Sequence, residues 1–306
     1  MILVLAAQNQ YNKTFAVSRF MEKPSLINLP QQKEQSILFI TLDSCRYDTF
    51  LSTPVPNLKA VGKLYRAMAP GSFTYSSHAA MFVGFTPGVA TKFEPYINSK
   101  YGKIFRMLSG GLPGKAEHFI LTGRNIIDGF KRMGYLTIGS GAVGWFDPKT
   151  ETGQSLTQDF DAFFYPGNTF SLATQIQWIS QYLKNLSQPV FVFLNIGETH
   201  VPYYHEGASW SVEDNPCIPF GSNNRRDECM RRQKICLQYV DQLLQPLLTA
   251  FRVATILVCA DHGDCWGEDG LWEHGFHHEK VLEVPLIFKL GASIDREGNI
   301  QSTDLE

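Results

Sequence analysis

Three apolar, β-branched runs in this chain each end on a carboxylate, and that pattern constrains the fold more than any other feature. Ser36-Ile-Leu-Phe-Ile-Thr-Leu42 stops at Asp43, Pro189-Val-Phe-Val-Phe-Leu-Asn-Ile-Gly197 at Glu198, and Ala254-Thr-Ile-Leu-Val-Cys-Ala260 at Asp261. Runs that are apolar at nearly every position read as strands buried on both faces of a sheet. Helical segments lie between them: Asn125 to Met133, which stops at Gly134, then Ser171 to Leu186 and Cys229 to Leu248. Tyr135 to Ile138 reads as a further strand. Strands alternating with helices predict an α/β fold, a mostly parallel central sheet sandwiched between helices. Ligands of such sheets bind beyond the carboxyl ends of the strands, so the acidic ends can converge on one place. One carboxylate after a strand is an ordinary turn or helix cap. Three of them, two with a histidine close behind (His200 and His262), favour a shared metal site over coincidence.

Composition narrows the partners. The chain has 306 residues with a formal net charge of −2, 44% hydrophobic and 18% charged, an ordinary globular balance with room for one large α/β domain or two smaller ones. Near-neutral charge gives no electrostatic case for nucleic acid or an anionic membrane. No stretch approaches the ~20 apolar residues of a membrane-spanning helix. The apolar start Met1–Ala7 is short, has no basic residue before it, and meets polar Gln8 at once. It reads as a first strand or docked terminus rather than a signal peptide, so the expected location is the cytoplasm. Six cysteines without CxxC spacing argue against a zinc ribbon or redox motif. Cys259 reads as a buried, inert thiol, and Cys217 and Cys229, which bracket a polar loop, are expected to be free.

The segment Ala69 to Gly84 looks like a Gly/Ser loop entering a short helix, with Thr74 near its start and Ser76 or Ser77 as other candidate caps. A Ser/Thr cluster before an apolar run is usually an N-cap, and taken alone this segment favours that reading. The functional alternative is a hydroxyl at a helix N-terminus, among free backbone N–H groups, facing a bound anion. A neutral threonine is a poor nucleophile, but coordination to a dication lowers oxygen-acid pKa values by many units.

The order of the segments brings in a family. Ile40-Thr-Leu-Asp43-Ser-Cys-Arg46-Tyr-Asp48 resembles the first metal motif of sulfatase-like members of the alkaline phosphatase superfamily. Phe73-Thr74-Tyr-Ser-Ser77-His78-Ala-Ala-Met-Phe-Val-Gly84 resembles their nucleophile segment in its threonine version, and Glu198-Thr-His200-Val-Pro202-Tyr203 their acidic-x-His-x-Pro-Tyr segment. Ala260-Asp261-His262-Gly263-Asp264, then Glu273-His274-Gly275 and Val284-Pro285-Leu286-Ile287, resembles their closing series. Met133-Gly134-Tyr135 and the helix through Tyr239-Val-Asp241 are weaker echoes.

The resemblance implies an alkaline-phosphatase-like catalytic domain over residues 36–291, after an N-terminal extension (1–35) and before a polar tail (292–306). It implies that Asp43, Thr74, Asp261 and His262 hold the principal metal, and that Glu198, His200 and His274 bind a second metal or the substrate oxyanion. His78 would hold the transferred group or protonate the leaving oxygen. His277 would contact the substrate, or it or His278 would replace His274 or form a solvated pair, and His118 and His205 fall outside every motif. Mixed carboxylate and imidazole donors suit one or two Zn²⁺ or Mn²⁺ ions better than Ca²⁺. The sequence departs from the family at Ser76, where a proline is common, and at Ser44, where many sulfatases have a second aspartate. Sulfatases make formylglycine from Cys or Ser, and Thr74 does not support that conversion. The expectation is therefore a hydrolase of phosphate mono- or diesters, acting on a small-molecule substrate through a phospho-threonine. Alternatives are sulfate or phosphonate ester cleavage, phosphoryl transfer in small-metabolite tailoring, or a non-catalytic metal-binding relative. The substrate pocket is expected from Tyr101 to Lys115, the Trp145-Phe146 region and Tyr203 to Arg232, with the loop from Glu206 to Arg226 as lid or surface insertion. Oligomeric state is not encoded in these patterns.

Overall fold

The apolar runs form the strands they predict. A computed structural model describes residues 29–84, 124–184 and 186–291, with two short strand pairs at Gly88–Val89 with Tyr96–Ile97 and Ser293–Ile294 with Ile300–Gln301. The expectations for Met1–Ala7, Tyr101–Lys115, His118 and most of the polar tail lie outside the described residues.

The central sheet has seven strands: β1 (Ile37–Leu42), β2 (Leu64–Met68), β3 (Leu136–Gly141), β4 (Ala162–Phe164), β5 (Val190–Ile196), β6 (Thr255–Ala260) and β7 (Glu283–Lys289). Their order is β2-β7-β6-β1-β5-β3-β4. Five run parallel across β6, β1, β5, β3 and β4, and β7 is antiparallel to β6 and β2. The fold is thus α/β with a mostly parallel sheet between helices. Strand β7 is the segment that carries the Val-Pro-Leu-Ile motif, and Pro285 sits in it opposite Arg66 of β2.

The alternation along β1 and β5 sorts the helices. Leu38, Ile40, Leu42, Val190, Val192, Leu194 and Ile196 belong to one core cluster, packed with α6 (Leu172–Tyr182) and α7 (Arg226–Ala250). Phe39, Phe191 and Phe193 point the other way, into a second cluster. That cluster takes in α3 (Thr74–Val83), α4 (Ile126–Arg132) and α5 (Glu151–Thr157). Two opposite apolar faces on one strand are what burial between two helix layers requires. The short helices α1 (Tyr47–Ser52) and α2 (Pro56–Lys59) lie against α7, and α8 (Glu279–Leu282) precedes β7.

Side chains cap these elements where the backbone cannot. Asn125 accepts from Asp128 N–H (2.9 Å) at the start of α4, and Gly134 (φ 83°) ends that turn in the left-handed region. Asp241 on α7 accepts from the Leu58 N–H (2.7 Å) and Asn57 N–H (3.3 Å), closing the N-terminus of α2. The Tyr239-Val-Asp241 echo therefore marks a structural clamp, a cap of the kind worth about 0.5–2 kcal/mol.

Candidate active site

Register decides which strand-end carboxylates meet. Leu42 is level with Ala260 on β6 and with Ile196 on β5. One residue further, Asp43 and Asp261 stand side by side on the same face of the sheet. Glu198 is one step beyond the level of Asp43, so the pleat turns it to the opposite face.

Asp43, Asp261 and His262, all fully buried, bring their ligand atoms within 4.8 Å of one another. His262 Nε2 lies 3.7 Å from Asp43 Oδ1 and 3.6 Å from Asp261 Oδ2, while its Nδ1 is occupied by the Gly263 carbonyl at 3.0 Å. Asp261 Oδ1 accepts from the backbone N–H of Ser44 (3.2 Å) and of His262 (3.0 Å), but among the described residues Oδ2 is buried without a hydrogen-bond partner. Burial, then the charge of Asp43, pushes the Asp261 carboxyl well above the usual carboxylate range. Burial, then the nearby His274, holds His262 well below the ordinary histidine value. Two crowded carboxylates, an orphaned oxygen and a neutral imidazole fit a divalent cation, which would satisfy all of them at once.

Thr74 is the first residue of α3, and the N-cap position before it is Phe73, which offers no side-chain cap. The Thr74 hydroxyl instead donates to Asp43 Oδ2 at 3.4 Å and lies 3.4 Å from His262 Nε2. Ser76 bonds the Phe73 carbonyl and Ser77 the Asp261 carbonyl, so neither serves as the cap. The capping explanation of this segment is thereby replaced: Thr74 faces the acidic cluster from the first position of α3.

A second trio shares His262. His262, Asp264 and His274 also lie within 4.8 Å, ligand atom to ligand atom. Tyr203 donates to Asp264 Oδ2 (2.7 Å), and His274 Nδ1 bonds Asp264 Oδ1 (2.7 Å). Burial alone would depress His274, but the bond to Asp264 and its charge raise it above its ordinary value. The rings of His262 and His274 are 4.2 Å apart, and His200 lies 5.4 Å beyond His274. His200 lines a cleft of about 360 Å³ with Val143, Gly144, Trp145, Thr150, Thr152 and Thr169.

Several expected residues are placed elsewhere. Glu198 is in neither trio: its Oε1 accepts the Leu172 N–H (2.8 Å) at the start of α6, and burial raises its carboxyl to about 7. His78 is fully buried with Nε2 on the Thr41 hydroxyl (2.9 Å) and Nδ1 on the Thr74 carbonyl (2.8 Å). Its ring packs on Phe146 and Phe193, and burial lowers it to about 4. With both nitrogens engaged inside the core, it braces Thr74 rather than meeting a substrate. His277 is exposed, and His278 caps α8 by accepting from the Lys280 N–H (3.0 Å), so neither replaces His274. His205 stacks on Tyr239 away from the trios.

Other contributors had no motif to announce them. Asn195, level with Thr41 on the Asp43 face, donates to Asp43 Oδ2 at 3.3 Å. Gln233 on α7 donates to the carbonyls of Ser44 (2.9 Å) and Thr199 (3.1 Å), tying the loops after β1 and β5 together. The alternation of β5 pointed to Asn195, a polar residue in an apolar run. Asp264 stood inside the Asp-His-Gly-Asp stretch without an assigned role.

Comparison with known proteins gives the fold a name. No protein-family model matches the sequence, and neither does any curated protein. Solved structures do match at low identity. One is the C-terminal periplasmic domain of phosphoethanolamine transferase EptC from Campylobacter jejuni, with TM-score 0.57, 15% identity, and coverage of 85% of this chain and 80% of that one. The phosphonate monoester hydrolase of Agrobacterium radiobacter gives TM-score 0.57 and 15% identity over 84% of this chain and 68% of that one. A protein in the alkaline phosphatase superfamily from Vibrio parahaemolyticus gives TM-score 0.50 and 15% identity over 88% and 64%. Among the described residues no helix is long and apolar enough to cross a membrane. The chain has the fold of the alkaline phosphatase superfamily.

Proposed function

We propose that this chain is a metal-dependent hydrolase of phosphate mono- or diesters that works through a covalent phospho-threonine at Thr74. One observation carries the reading: the Thr74 hydroxyl, at the N-terminus of α3, sits 3.4 Å from both Asp43 Oδ2 and His262 Nε2. A divalent cation held by Asp43, Asp261, His262 and Thr74, zinc or manganese by the donor set, would lower the pKa of the hydroxyl and offset charge on the phosphoryl oxygens.

The residues of the chain then divide the work. Asp43 Oδ2, 3.4 Å from the Thr74 hydroxyl, takes its proton in this reading. Thr74 Oγ1 attacks phosphorus, the ester P–O bond breaks, and the departing oxygen takes a proton from water in the cleft. A second water attacks phosphorus, the Thr74 oxygen leaves, and phosphate or a phosphomonoester is released. First-turn N–H groups of α3 face the transferring oxygens, the geometry that favours bound anions. His274, held by Asp264, supplies a cationic or ligating imidazole beside His262. His78 and Asn195 position Thr74 and Asp43.

The catalytic unit in this reading is residues 36–291. Transfer to an acceptor other than water shares the first half of the reaction, and the likeness to a phosphoethanolamine transferase domain keeps it as the second reading. A cytoplasmic location is part of the proposal and rests on six buried, unpaired cysteines. Thiol titration of the denatured, non-reduced protein from its native compartment tests it, with six thiols expected. The covalent step is tested by acid-quenching metal-loaded protein during turnover of an aryl phosphate and mapping the peptides. Phosphothreonine at Thr74 is the expected result; a phosphoryl group elsewhere, or none under pre-steady-state sampling, overturns it.

A further inference from the structure

The cleft beside His200 has a built wall. The turn Gly144–Phe146 follows β3 and is anchored by Phe146, fully buried against His78, Phe163 and Phe193. Its neighbour Trp145 is half-buried at the margin of the same apolar cluster, with its ring 5.7 Å from Phe73 and 5.8 Å from Tyr75. Those are the two residues on either side of Thr74. Across the cleft, His200 leads through His274 to His262. A group attached to a phosphorus at Thr74 therefore extends between the Trp145 ring and His200.

The lining chemistry narrows that group. Among the described residues, none that lines the cleft is Lys, Arg, Asp or Glu. Among these described lining residues a second anion finds no cation, and an ammonium no carboxylate. Neutral polar groups are available: the Trp145 indole N–H and the Thr169 hydroxyl have no protein partner among the described residues, and His200 spends only Nδ1, on the Val201 carbonyl (2.7 Å). The volume, about 360 Å³, falls at the small end of ligand sites. An aromatic plate edged by uncharged donors and acceptors matches a ring with an apolar C–H face and a hydroxyl rim.

We propose that this cleft is the site for the part of the ester that carries no phosphorus, and that it takes a neutral, hydroxyl-bearing ring, a sugar or cyclic polyol, laid on Trp145. The Trp145 N–H, the Thr169 hydroxyl and His200 Nε2 bond to its hydroxyls. The proposal deepens the phosphoester reading and rests on it for the position of the phosphoryl group.

The test compares wild type, Trp145→Ala and Thr169→Val, all metal-loaded, on glucose 1-phosphate, myo-inositol 1-phosphate, phenyl phosphate, methyl phosphate and phosphoethanolamine. The expected result is that Trp145→Ala lowers kcat/KM for the sugar and polyol esters at least ten times further than for methyl phosphate. Thr169→Val is expected to lower it for those two esters but not for phenyl phosphate, which has a ring without hydroxyls. Equal losses on every ester, or a wild-type preference for phosphoethanolamine, overturn the proposal. Saturation-transfer NMR with methyl α-glucoside and free myo-inositol reads binding without turnover. If no ester is turned over, the hydrolase reading fails, and the cleft is judged by NMR alone. Transfer seen in wild type and lost in Trp145→Ala supports it; none in wild type overturns it.

Discussion

Asp261 Oδ2 stands 3.6 Å from His262 Nε2 and is buried with no hydrogen-bond partner among the described residues. Burial and the adjacent Asp43 charge make this costly, because both disfavour the ionised form of Asp261. The first prediction follows. Asp261→Asn lowers zinc or manganese affinity by more than about 100-fold, the upper end of what even outer-shell changes cost. The same variant, stripped by chelator, is more stable than stripped wild type by about 1–3 kcal/mol in urea unfolding. A variant that binds metal normally contradicts the assignment.

Glu198 gives a pH prediction. Its folded-state value, raised by burial to about 7 against 4.5 ordinarily, means the folded protein keeps a proton that the unfolded chain releases in that window. The stability this contributes is full below about pH 4.5 and is lost as pH rises through about 7. Glu198→Gln keeps an oxygen for the Leu172 N–H and removes the ionisation. Chelator-treated Glu198→Gln is expected to match wild type near pH 4.5 and exceed it at pH 8 by up to about 3 kcal/mol. Metal content is expected to be unchanged; its loss would restore Glu198 as a ligand.

His78 is predicted to act through Thr74. His78→Ala removes two buried hydrogen bonds and a packed ring, costing about 2–4 kcal/mol in denaturant unfolding. Because burial lowers the folded-state value to about 4, the imidazole contributes stability above its ordinary 6.5 that is lost as pH falls toward 4. The variant lacks that acid limb. A fully stable His78→Ala with an altered basic limb in its pH–rate profile would instead show direct proton transfer.

The Tyr203–Asp264–His274 chain predicts a separable effect. Asp264→Asn removes the charge that raises His274, so the His274 imidazole titrates below its wild-type value by NMR. If the second trio holds an ion, elemental analysis of the variant falls by one metal per chain, while the site at Thr74 stays filled. An unchanged His274 titration contradicts the coupling.

Much of this was legible from the residues. Continuous apolar runs that end on Asp43 and Asp261 imply adjacent buried parallel strands, whose ends meet at one edge of the sheet. Glu198 looked equivalent because its run is equally apolar and equally acidic at its end. Pairing register, which a single sequence does not carry, puts it one residue further and on the α6 face. The edge strand β2 and its neighbour β7 were harder to read: Leu64–Met68 mixes exposed and half-buried residues, and Pro285 argues against a strand interior. Gln233 serves through long-range hydrogen bonds from α7 to the loops after β1 and β5, which leave no local pattern.

Turnover of an aryl phosphate by wild type and Thr74→Ala, at metal occupancy matched by elemental analysis, tests the central claim most directly. The account predicts bound zinc or manganese in both proteins and a loss of kcat of about 1,000-fold or more in Thr74→Ala, as expected when a nucleophile is removed. Turnover by Thr74→Ala at the wild-type rate, with metal in place, would contradict it.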